Sequence, residues 1–205
     1  MAGSKHQSPD IRKQQILEAS EKILVGHGME KFTLDQVAEE ASIAKGTIYK
    51  YYKGKDQILS ALSVSALSKM QRAFEDAASK EESAISKLQA ICMASYHFNI
   101  TNKNHSELIQ YMERPEFNIN MEDYLSVSYS LQSFTDNIIR EGIKSGEIKA
   151  EYDPQMTTYI VWASCIGVVQ FAETKKNMMK EGFEADPEEF VRIFARMITT
   201  GLKNN

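Results

Sequence analysis

Between Ala41 and Lys55 the chain carries four lysines, Lys45, Lys50, Lys53 and Lys55, interleaved with Thr47, Tyr49, Tyr51 and Tyr52, and no acidic residue. Ammonium groups attract polyanions and hydroxyls make directed hydrogen bonds, and together these are the chemistry of phosphate contact. Gly46, with no side chain, lets the backbone approach a phosphate or a base edge closely. A run of lysines is more often a solvated helix face, here packed by Ile48 and Tyr52. The elements that position the lysines decide between the two readings.

Thr33 followed by Gln36 has the spacing of a capping box, and Phe32 with Val37 form the apolar staple around it. Leu34, Val37, Ala38 and Ala41 then recur at helical spacing, so a short helix with one buried face starts here. A second short helix follows within a few residues, with Ile48 and Tyr52 on its inward side and the lysines elsewhere. Ahead of both, Ser8 and Pro9 open a helix through Ile16, Ala19, Ser20, Ile23 and Leu24 that stops near Gly26 and Gly28 and serves as scaffold. Two stubby helices joined by a tight turn, the second one cationic, form a helix-turn-helix.

The ordered series Arg12, Ile16, Leu17, Ala19, Gly28, Thr33, Val37, Ala38, Ala41, Ile43, Lys45, Gly46, Thr47, Ile48, Tyr49, Tyr52, Lys55 and Leu59 resembles the N-terminal DNA-binding domain of the TetR family of transcriptional regulators. The resemblance implies a DNA-contacting set of Thr33, Lys45, Gly46, Thr47, Tyr49, Lys50, Tyr51 and Lys55. In it Thr47, Tyr49, Lys50 and Lys55 grip phosphates, while Lys45, Gly46 and Tyr51 lie nearest the base edges. Two positions depart from the family pattern. Ser42 stands in the turn where glycine is usual, and Ala44 stands where a hydroxyl caps the recognition helix. A missing cap costs about 0.5–2 kcal/mol, so the recognition helix is expected to fray.

The charge distribution agrees. Residues 1–55 hold nine Lys or Arg against seven Asp or Glu, whereas the remainder holds 15 against 21. A DNA-binding head on an acidic body fits this polarity. Strand periodicity is nearly absent, and the expected fold class is all-α: a three-helix head over residues 1–55 and a larger helical ligand-binding and dimerisation domain over 56–205. Residues 1–7 are read as a loose polar arm and Pro115–Asn120 as irregular. A helix is expected to run from Lys55 or Asp56 to near Ser79 without Gly or Pro, so that a shift at one end is felt at the other. Further helices are expected from Ser83 to Asn99, around Leu108–Met112 after a polar interval Thr101–His105, from Met121 to Gly142, from Pro154 to about Lys175, and from Pro187 to Gly201. Cys92 and Cys165 lack any CxxC partner, so each is read as a small buried apolar residue and no disulfide or metal site is expected. No secretory signal or membrane-length apolar run is visible, so a cytoplasmic protein is expected.

In the resembled family the last two helices pair with their copies, which nominates Ile166, Gly167, Gln170, Phe194 and Ile198 as interface residues of a homodimer on a palindromic site. Polar and aromatic side chains mingle in the middle of the body, among them Tyr129 and His97. The expected small-molecule contacts are Tyr96, Asn99, Tyr111, Met112, Tyr124, Phe134 and Trp162, in a pocket that the resemblance places between the fourth and eighth helices. No catalytic motif stands out and no cofactor is expected. The function so read is a dimeric, ligand-responsive DNA-binding repressor released by a small, largely apolar effector. The alternative is a helical small-molecule sensor or carrier whose head has lost DNA binding.

Overall fold

The computed structural model describes residues 8–114, 116, 122–182 and 184–204. The expected loose arm, most of the irregular Pro115–Asn120 stretch and the helix start at Met121 lie outside these. Among the described residues there are nine helices and no strand: α1 Pro9–His27, α2 Leu34–Glu40, α3 Lys45–Ile48, α4 Lys55–Ser79, α5 Ala84–Thr101, α6 Lys103–Met112, α7 Glu122–Lys144, α8 Pro154–Gly182 and α9 Pro187–Leu202. The fold is all-α, and no helix among the described residues is long and apolar enough to cross a membrane.

The caps fall where local chemistry dictates. Ser8 accepts from the Ile11 N–H ahead of Pro9, Asp186 accepts from the Glu189 N–H ahead of Pro187, and Thr33 and Gln36 close a reciprocal capping box. Two boundaries differ from expectation. The interval Thr101–His105 is nearly all helical, broken only at Asn102. His105 turns out buried, its ring 3.3 Å from Glu21, and this contact makes a polar stretch fold as an inward-facing turn. Helix α8 continues past Lys175 to Gly182, because nothing in that stretch breaks a helix and Glu173 pairs with Lys176 one turn on.

The chain divides into two compact units: Met1–Leu67 with Asn104–Leu125, and Ser68–Lys103 with Ser126–Asn205. The first packs α1 on α2 over Ile16, Leu24, Phe32, Val37, Ile48 and Leu59. The second packs α5 against α8 and α9, with Leu88, Ile91, Leu131, Ile139 and Val161 in its core. Gly142 is required there, since a Cβ would sit 2.6 Å from Ile148 Cδ1 and 2.7 Å from Ala84 Cβ. The C-terminal strap is tied down beside it, where the Lys149 N–H donates to the Leu202 carbonyl and the Asn204 N–H to the Glu147 carbonyl.

The Glu147 side chain closes the N-terminus of α5, accepting from the Ala84 N–H at 2.7 Å and the Ile85 N–H at 3.1 Å. Partial burial pushes this carboxyl up, but the Ile85 N–H, the Ser83 hydroxyl, the Ala84 N–H and the Lys203 charge together hold it below the ordinary glutamate value. A depressed carboxylate pKa contributes stability that is present above the unfolded value and disappears as pH falls through the folded one. Glu147→Gln is therefore expected to lower unfolding free energy by about 1 kcal/mol near neutral pH. Urea melts of both proteins should converge below about pH 4; a gap that persists in acid would show that the charge is not what holds α5.

Candidate nucleic-acid interface

Helix α3 has only four residues, and Ala44 at its N-cap makes no side-chain hydrogen bond. The turn before it passes through Ser42 at φ 52°, in the left-handed region where an L-residue costs about 1–2 kcal/mol. What holds the turn is backbone and side-chain bonding from neighbouring helices. The Ile43 N–H donates to the Ala38 carbonyl at 2.9 Å, the Gln15 amide of α1 donates to the Ala41 carbonyl at 3.0 Å, and the Tyr52 hydroxyl donates to the Lys13 carbonyl at 3.4 Å. Ile48 and Tyr52 are buried beneath, as the spacing required.

The outward face carries the expected groups, but its cations differ in role. Lys45 is ion-paired at 2.8 Å to Asp35 in the first turn of α2, which orients it and ties the two helices together. Lys50 and Lys53 are exposed, and neither ammonium is paired among the described residues. Lys55, expected on phosphate, is turned inward. Its ammonium donates to the Phe32 carbonyl at 2.9 Å and the Met29 carbonyl at 3.4 Å, and it lies over the Phe32 ring. Two of its three N–H donors are thereby committed to the connection between α1 and α2. Thr47 and Tyr51 are half-buried, Tyr49 and Thr33 are exposed, and a side chain at Gly46 would meet nothing within 4 Å. Sequence reasoning missed Asn104 of α6, whose amide donates at 2.9 Å to the Val25 carbonyl in the last turn of α1. No local signal marks such a cap, since its partner is 79 residues away.

The expected small-molecule contacts fall in both units. In the second, Tyr96 is buried with Val169, Ala172 and Val191, the Asn99 amide donates to the Ser95 carbonyl of its own helix, and Phe134 and Trp162 lie half-buried against the core. In the first, Met112 is core, and Tyr124 is buried and donates to the Glu113 carboxylate. Burial and that neighbouring carboxylate push the Tyr124 hydroxyl's pKa up. Tyr111, under the Arg114 guanidinium, lines a cleft of about 440 Å³ with His27, Lys31, Gln110 and Arg114. Tyr129 and His97 face outward. Two polar atoms of the second unit that sequence reasoning passed over, Thr158 Oγ1 and Asp136 Oδ1, are buried without a hydrogen-bond partner among the described residues.

Of the expected interface residues, Ile166, Gly167 and Gln170 are exposed, while Phe194 and Ile198 pack on the core. The outward apolar side chains of α9 are Ile193 and Met197, one position earlier, because Val191, Ala195 and Thr199 set its buried face. On α8 the exposed series is Met156, Ile160, Gly167, Phe171 and Met178, spaced by alternating four and seven residues along one side.

The strained turn generates an expectation. Ser42→Gly should stabilise the first unit by about 0.5–1 kcal/mol and slow amide exchange over residues 45–51. In the unsubstituted protein those amides should exchange faster than those of Ile16 and Leu24. Equal protection would mean that α3 does not fray.

Residues 16–62 match the family model described as bacterial regulatory proteins, tetR family. The chain is 26% identical over 153 residues to the fatty acid metabolism regulator protein of Bacillus subtilis (strain 168), covering 73% of this chain and 77% of that one. Among solved structures, a protein of unknown function from Rhodococcus sp. RHA1 superposes with a TM-score of 0.80 at 20% identity, with both chains fully covered. The regulator FadR from Bacillus subtilis in complex with stearoyl-CoA superposes with a TM-score of 0.72 at 19% identity, covering 93% of this chain and 99% of that one. With a capped α2 and a short cationic α3 beside the α1 scaffold, residues 16–62 form the N-terminal segment of a bacterial regulatory protein of the tetR family.

Proposed function

We propose that the protein is a homodimeric repressor that holds a palindromic operator through residues 1–55 of each copy, and that a largely apolar effector bound by residues 56–205 releases it. The observation that carries this reading is the apolar stripe on α8 and α9. Ile160 is 55% exposed and Met197 72% exposed, and Phe171, Met178 and Ile193 are exposed as well. Open space over Gly167 and Gly201 allows another helix to come close. Apolar surface of this extent on two adjacent helices favours burial against a copy of itself, and a two-fold pair matches two half-sites about 34–36 Å apart.

On the DNA, Lys50 and Lys53 supply charge to phosphates, Thr47, Tyr49 and Thr33 supply hydroxyls, and Lys45, Gly46 and Tyr51 face the base edges. Lys55 positions the connection between α1 and α2 and has one N–H left for a phosphate. In the second unit, the buried unpartnered Thr158 hydroxyl and Asp136 carboxyl oxygen favour a bound molecule with a polar group, since such atoms are rarely left unsatisfied. Phe134 and Trp162 supply apolar contact there, with Tyr96 and Asn99 nearby on α5. Tyr111, Met112 and Tyr124 remain candidates on the first unit. The solved FadR complex holds stearoyl-CoA, so a long-chain acyl thioester is the first effector to try.

Three outcomes are expected. Lys50→Ala should weaken operator binding and lower the slope of log K against log salt by about one; an unchanged slope removes Lys50 from the phosphate contacts. Ile160→Arg with Phe171→Arg should convert the dimer to a monomer by sedimentation and weaken operator binding by about 100-fold or more, whereas a dimer that survives both charges would refute the interface. Stearoyl-CoA should change the emission of Trp162, the single tryptophan, and release operator over the same concentration range. Release by no acyl thioester would remove that effector class while leaving the DNA reading intact.

A further inference from the structure

Asp35 stands in the first turn of α2, and Lys45 is the first residue of α3. The Lys45 ammonium donates to Asp35 Oδ2 at 2.8 Å, and both side chains remain open to solvent, Lys45 46% exposed and Asp35 73% exposed. One of the three Lys45 N–H groups is thereby used and two are left, while Asp35 Oδ1 has no partner among the described residues. The reciprocal bonds between Thr33 and Gln36, on either side of Asp35, fix the turn that carries it. A carboxylate repels phosphate, so a surface that only gripped the DNA backbone would gain nothing from one beside its cation. Base edges do offer it a partner, because cytosine N4 and adenine N6 are donors in the major groove. In a helix-turn-helix the leading side chains of the second helix meet those edges, and Asp35 comes with Lys45.

The pair presents a donor and an acceptor 2.8 Å apart. Guanine O6 and cytosine N4 bond to each other across their base pair, so the groove edge presents an acceptor and a donor about 2.9 Å apart in the opposite sense. We propose that Asp35 and Lys45 together read one G·C base pair in each half-site, Lys45 donating to guanine O6 and N7 and Asp35 accepting from cytosine N4, an assignment that rests on the DNA contact proposed above. An A·T edge runs acceptor, donor, acceptor, so a carboxylate opposite adenine N6 leaves Lys45 a single acceptor on the side it occupies. Only guanine matches both remaining N–H groups of Lys45. Asp35 also keeps the ammonium, on its flexible four-carbon stem, from swinging to a phosphate. It lowers attraction to DNA at large and raises discrimination between base pairs.

The test uses the full chain to select duplexes from a pool with a randomised centre, and the enriched site is then varied one base pair at a time. Each half-site should contain a G·C pair whose replacement by A·T weakens binding by about tenfold or more. At that pair, 7-deazaguanine removes only the N7 acceptor, and N4-methylcytosine blocks the N4–H that points into the groove. Each analogue should weaken binding of the unsubstituted protein by about tenfold. Asp35→Ala and Lys45→Ala should each flatten the preference at that pair and leave preferences elsewhere in place, and the loss in the double variant should fall short of the product of the two. Weaker binding of Asp35→Ala to every duplex alike would make the pair a brace between helices and overturn the proposal. Tighter binding to every duplex alike would place Asp35 beside phosphate and overturn it too. An enriched site in which no base pair responds to either analogue sinks the G·C assignment and leaves the DNA reading standing, whereas a chain that retains no duplex at low salt sinks both. The analogues are read on the unsubstituted protein, so the result stands even where a variant fails to fold.

Discussion

Helix α3, four residues long, has no hydrogen-bonded turn to spare, so the aim of Lys45, Thr47 and Tyr49 depends on what grips the chain on either side. Those grips are side-chain donors on otherwise orphaned carbonyls. Gln15 holds Ala41 ahead of the turn, and Lys55 holds Met29 and Phe32 at the entry to α2. Asn104 holds Val25 at the end of α1. Those from Gln15 and Lys55 satisfy carbonyls in part-buried surroundings, where an unpaired polar group is costly. Each also fixes a distance between helices that apolar packing alone leaves free to slide. The reading surface is therefore rigid where its frame is bonded and weak at Ser42 and Ala44, where the sequence supplies neither a glycine nor a cap.

Charge and apolar surface are divided along the chain in the same sense. The cations of the reader stand on a stretch without acids, and two of the four are engaged within the protein, Lys45 by Asp35 and Lys55 by carbonyls. Lys50 and Lys53 are left exposed, while the other two set geometry. The remainder of the chain is net acidic, a charge that disfavours approach of a polyanion to it. Its uncovered apolar area is concentrated on α8 and α9, on the sides away from Val161, Cys165, Val169, Val191 and Ala195.

The helical class, the capping box at Thr33 and the N-caps at Ser8 and Asp186, the burial of Ile48 and Tyr52, and the exposed cationic stretch are all legible in the order of residues alone. Each follows from interactions between residues three or four apart, or from local charge, and these are properties of the sequence itself. Sequence also indicates the two weak points of the turn, because a left-handed position and a missing cap are penalties of single residue types. Tertiary structure alone decided which lysines stay exposed and which turn to carbonyls, that Glu147 caps α5 across 63 residues, that α9 shows Ile193 and Met197 outward in place of Phe194 and Ile198, and that the Cys165 thiol meets the Cys92 carbonyl. In each case the partner lies dozens of residues away. Which side chain reaches it is settled by how helices pack, and helical periodicity specifies a buried face without specifying its neighbour.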